Sequence, residues 1–267
     1  MTTNTPTPNA LPFSTGPLST GLTTPRPNDP ALQPLEPTAR TTVTRGRNRV
    51  VADRARLVRF LATEGLVAHV AVDVGDHPVV LPSAYAVDLD GPDPGGTLYL
   101  HGSVAAGWIR RLLAGPSGAT VCVAVTELDG LVVGRSAFHH SMNYRSAVVV
   151  GRVRSVDDPG ERQRALDLIV DHMVPGRAAT LRPSTRKELA ATAVLAVPLL
   201  EASMKERAGA PVDDEDDLVA GGWGGHIPLH RVAGAPVPDD DAQGPVPERV
   251  MARSVGLAGR DEDLGRP

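Results

Sequence analysis

A chain of 267 residues with a formal net charge of −4 lacks the basic excess that sequence-independent binding of a nucleic-acid backbone needs, so nucleic acid is not an expected partner. Its single cysteine, Cys122, excludes an intramolecular disulfide framework and fits a reducing compartment. No apolar run reaches the ~20 residues of a membrane span and no secretory signal opens the chain, so a cytoplasmic protein with no membrane partner is expected.

The chain holds 25 Pro, and most of the excess falls at the two ends. Residues 1–44 are rich in Thr and Pro, as in Thr5-Pro6-Thr7-Pro8, and residues 237–267 mix Gly, Pro and Asp239-Asp240-Asp241. Neither end can offset its ordering entropy by apolar burial, so both read as disordered tails. The expected folded unit is residues 45–236.

That unit opens with a helix capped by Asp53, in which Ala55, Val58, Leu61 and Ala62 recur at helical spacing until Gly65. Residues 66–72 and 79–87 read as strands joined by the turn Gly75-Asp76-His77-Pro78. Pro82, with no N–H to donate, marks the second as an edge strand or a bulge. A short strand over residues 97–100 precedes a helix carrying Trp108, Ile109, Leu112 and Leu113, which ends near Gly115-Pro116. Strands follow at residues 120–126, 131–136 and 146–156, with Asp129-Gly130 as the turn between the first two. Residues 159–173 form an amphipathic helix. Residues 184–191 form another, capped by Ser184, with Glu188 one position too late for a capping box. A core strand spans residues 193–199, and an irregular segment reaches Val232. Six or seven short, mostly antiparallel strands with few helices predict a mainly β fold, a closed or partly closed barrel with peripheral helices.

Several catalytic motifs are absent: no G-x-S-x-G elbow, no Walker A loop, no G-x-G-x-x-G after a strand. His226 and His230 have zinc-helix spacing, but Pro228 between them and Ile227 in place of Glu exclude that reading. His139 and His140, if on a strand, point to opposite faces. The run Asp213-Asp214-Glu215-Asp216-Asp217 reads as a solvated loop, Gly221-Gly222-Trp223-Gly224-Gly225 as a flexible one, and Cys122 as a buried core residue. No metal site is expected.

Two stretches stand apart from scaffold. In Tyr99-Leu100-His101-Gly102-Ser103 a strand gives way to a turn and a helix, an arrangement that suits an anion such as phosphate or that simply caps the helix at Ser103. In Arg135–Ser146 polar, aromatic and cationic groups are concentrated between two strands. Arg145 suits a phosphate or carboxylate, and Tyr144 or Phe138 suits a planar ring; alternatively, the loop's polar groups satisfy one another.

Leu81-Pro82-Ser83-Ala84-Tyr85, then Tyr-Leu-His-Gly-Ser, then Asn143-Tyr144-Arg145-Ser146 ahead of Val-Val-Val-Gly-Arg, together resemble the pyridoxamine 5′-phosphate oxidase-like flavin proteins, in particular the nitroimidazole-resistance-protein-like branch. The resemblance implies a six-stranded FMN-binding split β-barrel, usually a homodimer with FMN at the subunit interface. It implies that Pro82, Ser83 and Tyr85 lie on the strand beside the flavin, that His101, Gly102 and Ser103 approach the flavin and its phosphate, and that Asn143, Tyr144, Arg145 and Ser146 lie near the site or interface. Trp108 stands where many relatives carry a phosphate-contacting Lys; Arg110 or Arg111, further along the helix, is the candidate to replace it, and at least one of the two should point elsewhere. The implied function is a flavin-dependent oxidoreductase acting on a small molecule, with His101 as proton donor. The alternative is a non-catalytic flavin, haem or deazaflavin carrier or sensor on the same barrel, and a third reading is a structural dimer that has lost its cofactor. Pyridoxamine 5′-phosphate itself is not expected as substrate, because the basic residues that would bind it find no match.

Overall fold

The computed structural model describes residues 34–114 and 118–258. The first 33 residues of the N-terminal tail, residues 115–117 with the Gly115-Pro116 stop, and the last nine residues lie outside this set.

After a two-residue strand β1 (Val50–Val51), helix α1 (Arg54–Arg59) starts at Asp53, whose side chain accepts from Ala55 N. It widens into one π-helical turn over Phe60–Glu64 and stops at Gly65. Strands β2 (Ala68–Asp73) and β3 (Pro78–Ser83) then form the hairpin read from the sequence, with Asp73 Oδ1 accepting from Gly75 N at 2.8 Å. β3 is an edge strand, which is where Pro82 is tolerated. The chain leaves this sheet at Ala84, so the single strand expected over residues 79–87 is two: β4 (Tyr85–Asp88) belongs to a second sheet.

β5 (Thr97–Ser103) is followed by the short helix α2 (Gly107–Leu113). β6 (Thr120–Val133) and β7 (Ser141–Arg152) form a long hairpin, and β7 runs almost directly into β8 (Arg154–Ser155). Asp129-Gly130 is therefore not a turn. Both its flanks pair with β7, and the register slips between Leu128 and Gly130 as a bulge. α3 (Pro159–Met173) has the predicted bounds, with Asp158 as its N-cap. α4 (Arg186–Ala191) is capped by Thr185 rather than Ser184, which puts Glu188 in register for a complete capping box. β9 (Thr192–Pro198) and β10 (Ala202–Arg207) follow, the latter inside the stretch read as irregular. α5 (Glu215–Ala220) rises from the acidic run, and β11 (Gly225–Pro228) follows the Gly-rich stretch. α6 (Glu248–Ala258) occupies the segment read as a C-terminal tail. At the other end the packed chain starts before residue 45: Leu35 is buried, and its N–H donates to Ala52 O at 2.8 Å.

The larger sheet has the order β1-β10-β7-β6-β2-β3, with β11 also on β6; the smaller is β4-β5-β9-β8, and every pairing is antiparallel. Among the described residues the ladder does not close into a ring. The two sheets meet where the chain crosses between them, at Ala84 and Val153, which makes a split barrel. Its interior is packed with side chains: Val70, Val123, Val125 and Val149 of one sheet share a cluster with Leu98, Leu100, Leu195 and Val197 of the other. Each fully buried Leu or Val there contributes about 1.5–3 kcal/mol over an exposed one. α3 covers the other side of the smaller sheet, setting Ala165 and Ile169 against Ala86, Tyr99, Val194 and Ala196.

Strand alternation leaves the outer face of the larger sheet lined with small or branched residues: Ala71, Cys122, Ala124, Val148 and Val150, all half-buried. Cys122 thus points away from the core, which its neighbours Val121 and Val123 enter. Burial still raises its thiol pKa.

Candidate functional site

His101, Gly102 and Ser103 are the last three residues of β5, opposite Val194, Ala193 and Thr192. They continue the strand rather than forming a turn. Ser103 does not cap α2, whose N-cap is Ala106; its Oγ accepts from Ala105 N at 3.2 Å. Gly102 meets a close approach, but from the protein itself: a Cβ there would lie 2.6 Å from Ile109 Cδ1 and 3.3 Å from Trp108 Cζ2. Trp108 is half-buried against the core cluster, whereas Arg110 and Arg111 are exposed and make no ion pair among the described residues.

His101 is half-buried, and its Nδ1 is buried without a hydrogen-bond partner among the described residues. Burial lowers its pKa, so the neutral imidazole is favoured near neutrality. The register that pairs Tyr85 with Leu100 and Ala68 with Ser83 leads Pro82 and Ser83 toward this end of β5. Ser83 Oγ donates to Ala84 O at 2.9 Å, and Pro82 is exposed.

Tyr85 lies elsewhere. It is fully buried, and its O–H reaches Leu61 O at 2.7 Å and Gly65 O at 3.1 Å. Its ring sits 4.5 Å from that of His172, whose Nε2 bonds the same Gly65 O. Burial, reinforced by Glu127, pushes the Tyr85 phenol well above its ordinary pKa. In this position it ties the end of the first helix to β4.

Strand geometry also divides Asn143-Tyr144-Arg145-Ser146 between two faces. Asn143 and Arg145 point to the inner side at the open end of the barrel. Asn143 is buried, accepts from Arg207 and donates to Gly209 O at 3.1 Å. Arg145 holds Asp129 through two bonds, Nε–Oδ2 at 2.9 Å and Nη2–Oδ1 at 2.6 Å, also pairs with Glu64, and lies 5.8 Å over the Phe60 ring. Arg56 joins from the helix, 2.8 Å from Glu64 and 2.5 Å from Glu206. The Asp129 carboxylate raises the Arg145 pKa against the effect of burial. Burial pushes Glu64 up, but Arg56 and Arg145 more than offset it and hold the carboxyl below its usual range. The polar groups of this part of the stretch are thus engaged, but by Glu64, Asp129, Arg207 and Gly209 from other parts of the chain rather than by one another.

Tyr144 and Ser146 face outward. With Val148, Ser203 and Lys205 they line a groove of about 310 Å³, whose other wall is the segment Arg40-Thr41-Thr42-Val43. That volume is at the lower end of the range for small-molecule sites. Ser146 Oγ lies 3.0 Å from Thr126 Oγ1, and Lys205 Nζ donates to Arg45 O at 2.9 Å. Lys205, Ser203 and Arg40 were not legible as groove residues: β10 reads as irregular, and residue 40 as tail. The predicted site residues therefore form three groups within one chain: the end of β5 with α2 and the β3–β4 crossing, the outer groove, and the ion-paired barrel mouth. Tyr85 joins none of them.

A family model described as pyridoxamine 5′-phosphate oxidase matches residues 53–206. Among solved structures, the flavocytochrome Anf3 from Azotobacter vinelandii is 33% identical over 82% of this chain and 98% of that one, with a TM-score of 0.72. The FAD and heme binding protein from Mycobacterium smegmatis is 39% identical over 77% of this chain and 97% of that one, with a TM-score of 0.68. A candidate 5-nitroimidazole antibiotic resistance protein from Bacteroides thetaiotaomicron is 24% identical over 58% of this chain and 85% of that one, with a TM-score of 0.46. No curated protein matches the chain. Among the described residues no helix is long and apolar enough to cross a membrane.

Proposed function

Because the chain belongs to the pyridoxamine 5′-phosphate oxidase family, we propose that it is a flavin-binding redox protein that also binds haem. The observation that carries this reading is the match, across nearly their whole length, to two solved proteins named for both kinds of group. It joins the expected flavin oxidoreductase to the alternative of a haem protein on the same barrel.

The chain's own residues fit such groups. The outer groove offers an aromatic ring at Tyr144, hydroxyls at Ser146 and Ser203, and cationic side chains at Lys205 and Arg40. Arg110 and Arg111 have no competing carboxylate among the described residues and suit a flavin phosphate. The groove lies on β7 and β10 of the larger sheet, whereas Arg110 and Arg111 lie on α2, after β5 of the smaller sheet. The reading therefore includes a cytoplasmic homodimer in which each protomer completes the other's flavin site. When bound, flavin and haem supply the electron-transfer chemistry, and the protein supplies binding and orientation. His101, half-buried and with its neutral imidazole favoured, would suit either a proton-handling role beside the flavin or ligation of haem iron. The small-molecule substrate follows from the flavin chemistry alone.

The purified protein should show flavin bands, released as FMN or FAD on denaturation, and a Soret band after haem is supplied. A colourless protein that takes up neither group sinks the reading. His101→Ala separates the two roles of His101: loss of the Soret band with flavin retained marks an iron ligand, while slower flavin reduction with the Soret band intact marks a proton-handling residue.

A further inference from the structure

The loop joining β6 to β7 and the acidic segment at the start of α5 are far apart in sequence and adjacent in the fold. His139, the last residue of the 3-10 turn Ala137–His139, sets its Nε2 3.2 Å from Asp214 Oδ2 and 3.9 Å from Asp217 Oδ2. The three ligand atoms lie within 4.8 Å of one another. That nitrogen is buried and makes no hydrogen bond of acceptable geometry among the described residues. A buried polar atom without a partner is costly, and such atoms call for an occupant.

The arrangement is held in place without an ion. Asp213 is already engaged: its carboxylate accepts from Arg135 N at 2.9 Å and from Arg135 Nη1 at 2.6 Å, while Arg135 Nε donates to Gly222 O at 3.1 Å. This clamp presses the segment against the hairpin and leaves Asp214 and Asp217 to face His139. On the other side the loop is tight: a Cβ on Gly134 would lie 2.6 Å from that of His139.

We propose that His139, Asp214 and Asp217 bind one divalent transition-metal ion per chain, of the zinc type. One imidazole nitrogen and two carboxylate oxygens are a zinc donor set, with a water in the fourth position. Zinc bonds of about 2.0–2.2 Å need these atoms closer together than they stand. Asp214 is 78% exposed and Asp217 32%, so both side chains have room to turn inward. The imidazole donor selects against magnesium and calcium, which prefer oxygen. A bound ion would fasten α5, and through it β11, to the hairpin. The two adjacent histidines and the acidic run, each read separately from the sequence, give no such site; it comes from one histidine and two aspartates brought together.

The test uses the full-length protein stripped with EDTA and titrated with Zn²⁺ by calorimetry. One saturable site per chain is expected, with no binding of Mg²⁺. His139→Gln and Asp217→Asn should each weaken it by at least about tenfold, with unchanged circular dichroism. His77→Ala, in the exposed β2–β3 turn, should leave it intact. Absence of a saturable zinc site, or zinc binding as tight in both variants as in the native chain, overturns the proposal. Because the readout is zinc itself, its outcome is independent of flavin and haem loading.

Discussion

Gly102 and Ile109 are fitted to each other: the glycine at the end of β5 leaves the space that the first turn of α2 fills with Ile109 Cδ1, 2.6 Å from where a Cβ would stand. Ile109 is buried in the core, so the clash cannot be relieved by moving into solvent. Gly102→Ala should destabilise by about 1–3 kcal/mol, the usual scale of overpacking. Adding Ile109→Val removes the clashing methyl, so the double variant should be more stable than the sum of the two single changes predicts. Thermal melts of the four proteins check this; strict additivity would show that the helix yields freely.

Tyr85 and Tyr144 both come from stretches that resemble flavin-site segments, but the structure gives them opposite surroundings. Tyr85→Phe removes the hydroxyl that Leu61 O accepts from and leaves Gly65 O to His172, and should cost about 1–3 kcal/mol without changing flavin affinity. Tyr144→Ala should leave the melting temperature nearly unchanged and reduce flavin retention. Melts paired with flavin titrations decide, and the reverse pattern would move the site away from the outer groove.

Arg145 is shared between Asp129 and Glu64 and is partly shielded from water. Arg145→Ala takes the guanidinium away from Asp129 and leaves Glu64 to Arg56, and should cost roughly 1–3 kcal/mol, below the range for a fully buried pair because solvent still reaches the group. Arg145→Lys should recover only part, since Lys cannot reproduce the two-pronged contact with Asp129. Denaturant midpoints rank the three proteins.

Burial lowers the pKa values of both His101 and His172 below the ordinary 6.5. The unfolded chain therefore takes up these protons first. Stability is complete above pH 6.5 and falls as the pH drops below it, until the folded histidines protonate as well. Each histidine adds a slope of at most about 1.4 kcal/mol per pH unit. Urea unfolding between pH 7.5 and 5 should show this decline, and His101→Gln should flatten it. An unchanged slope in that variant would mean His101 is not buried as described.

The parts of this fold that were legible in the sequence are those fixed locally. Asp53 as a cap, Gly75 in its turn, Pro82 on an edge and the apolar stripe of α3 each depend on neighbours within a few positions. The parts misread depend on distant chain. Asp129-Gly130 has the composition of a turn, yet Arg145 holds the aspartate and Gly130 admits β11, whose Ile227 O lies 2.9 Å from where a Cβ would be. β10 has only Ala202 and Met204 on its core face among charged residues, too weak an alternation to announce a strand. The outer groove needs residue 40 beside residue 205, and no local pattern carries that information.

The long strand β6 is served on one side by β7 along most of its length, but on the other by two strands in succession. β2 covers residues 122–124, and β11 covers residues 130–133. Without β11, the far half of that side would offer unpaired backbone donors and acceptors beside Leu131, which is itself 40% exposed. Bare sheet margins of this kind recruit strands from other molecules. The segment after α5 thus guards this margin against edge-to-edge aggregation, and a chain shortened before residue 225 would be expected to clump before it lost its barrel.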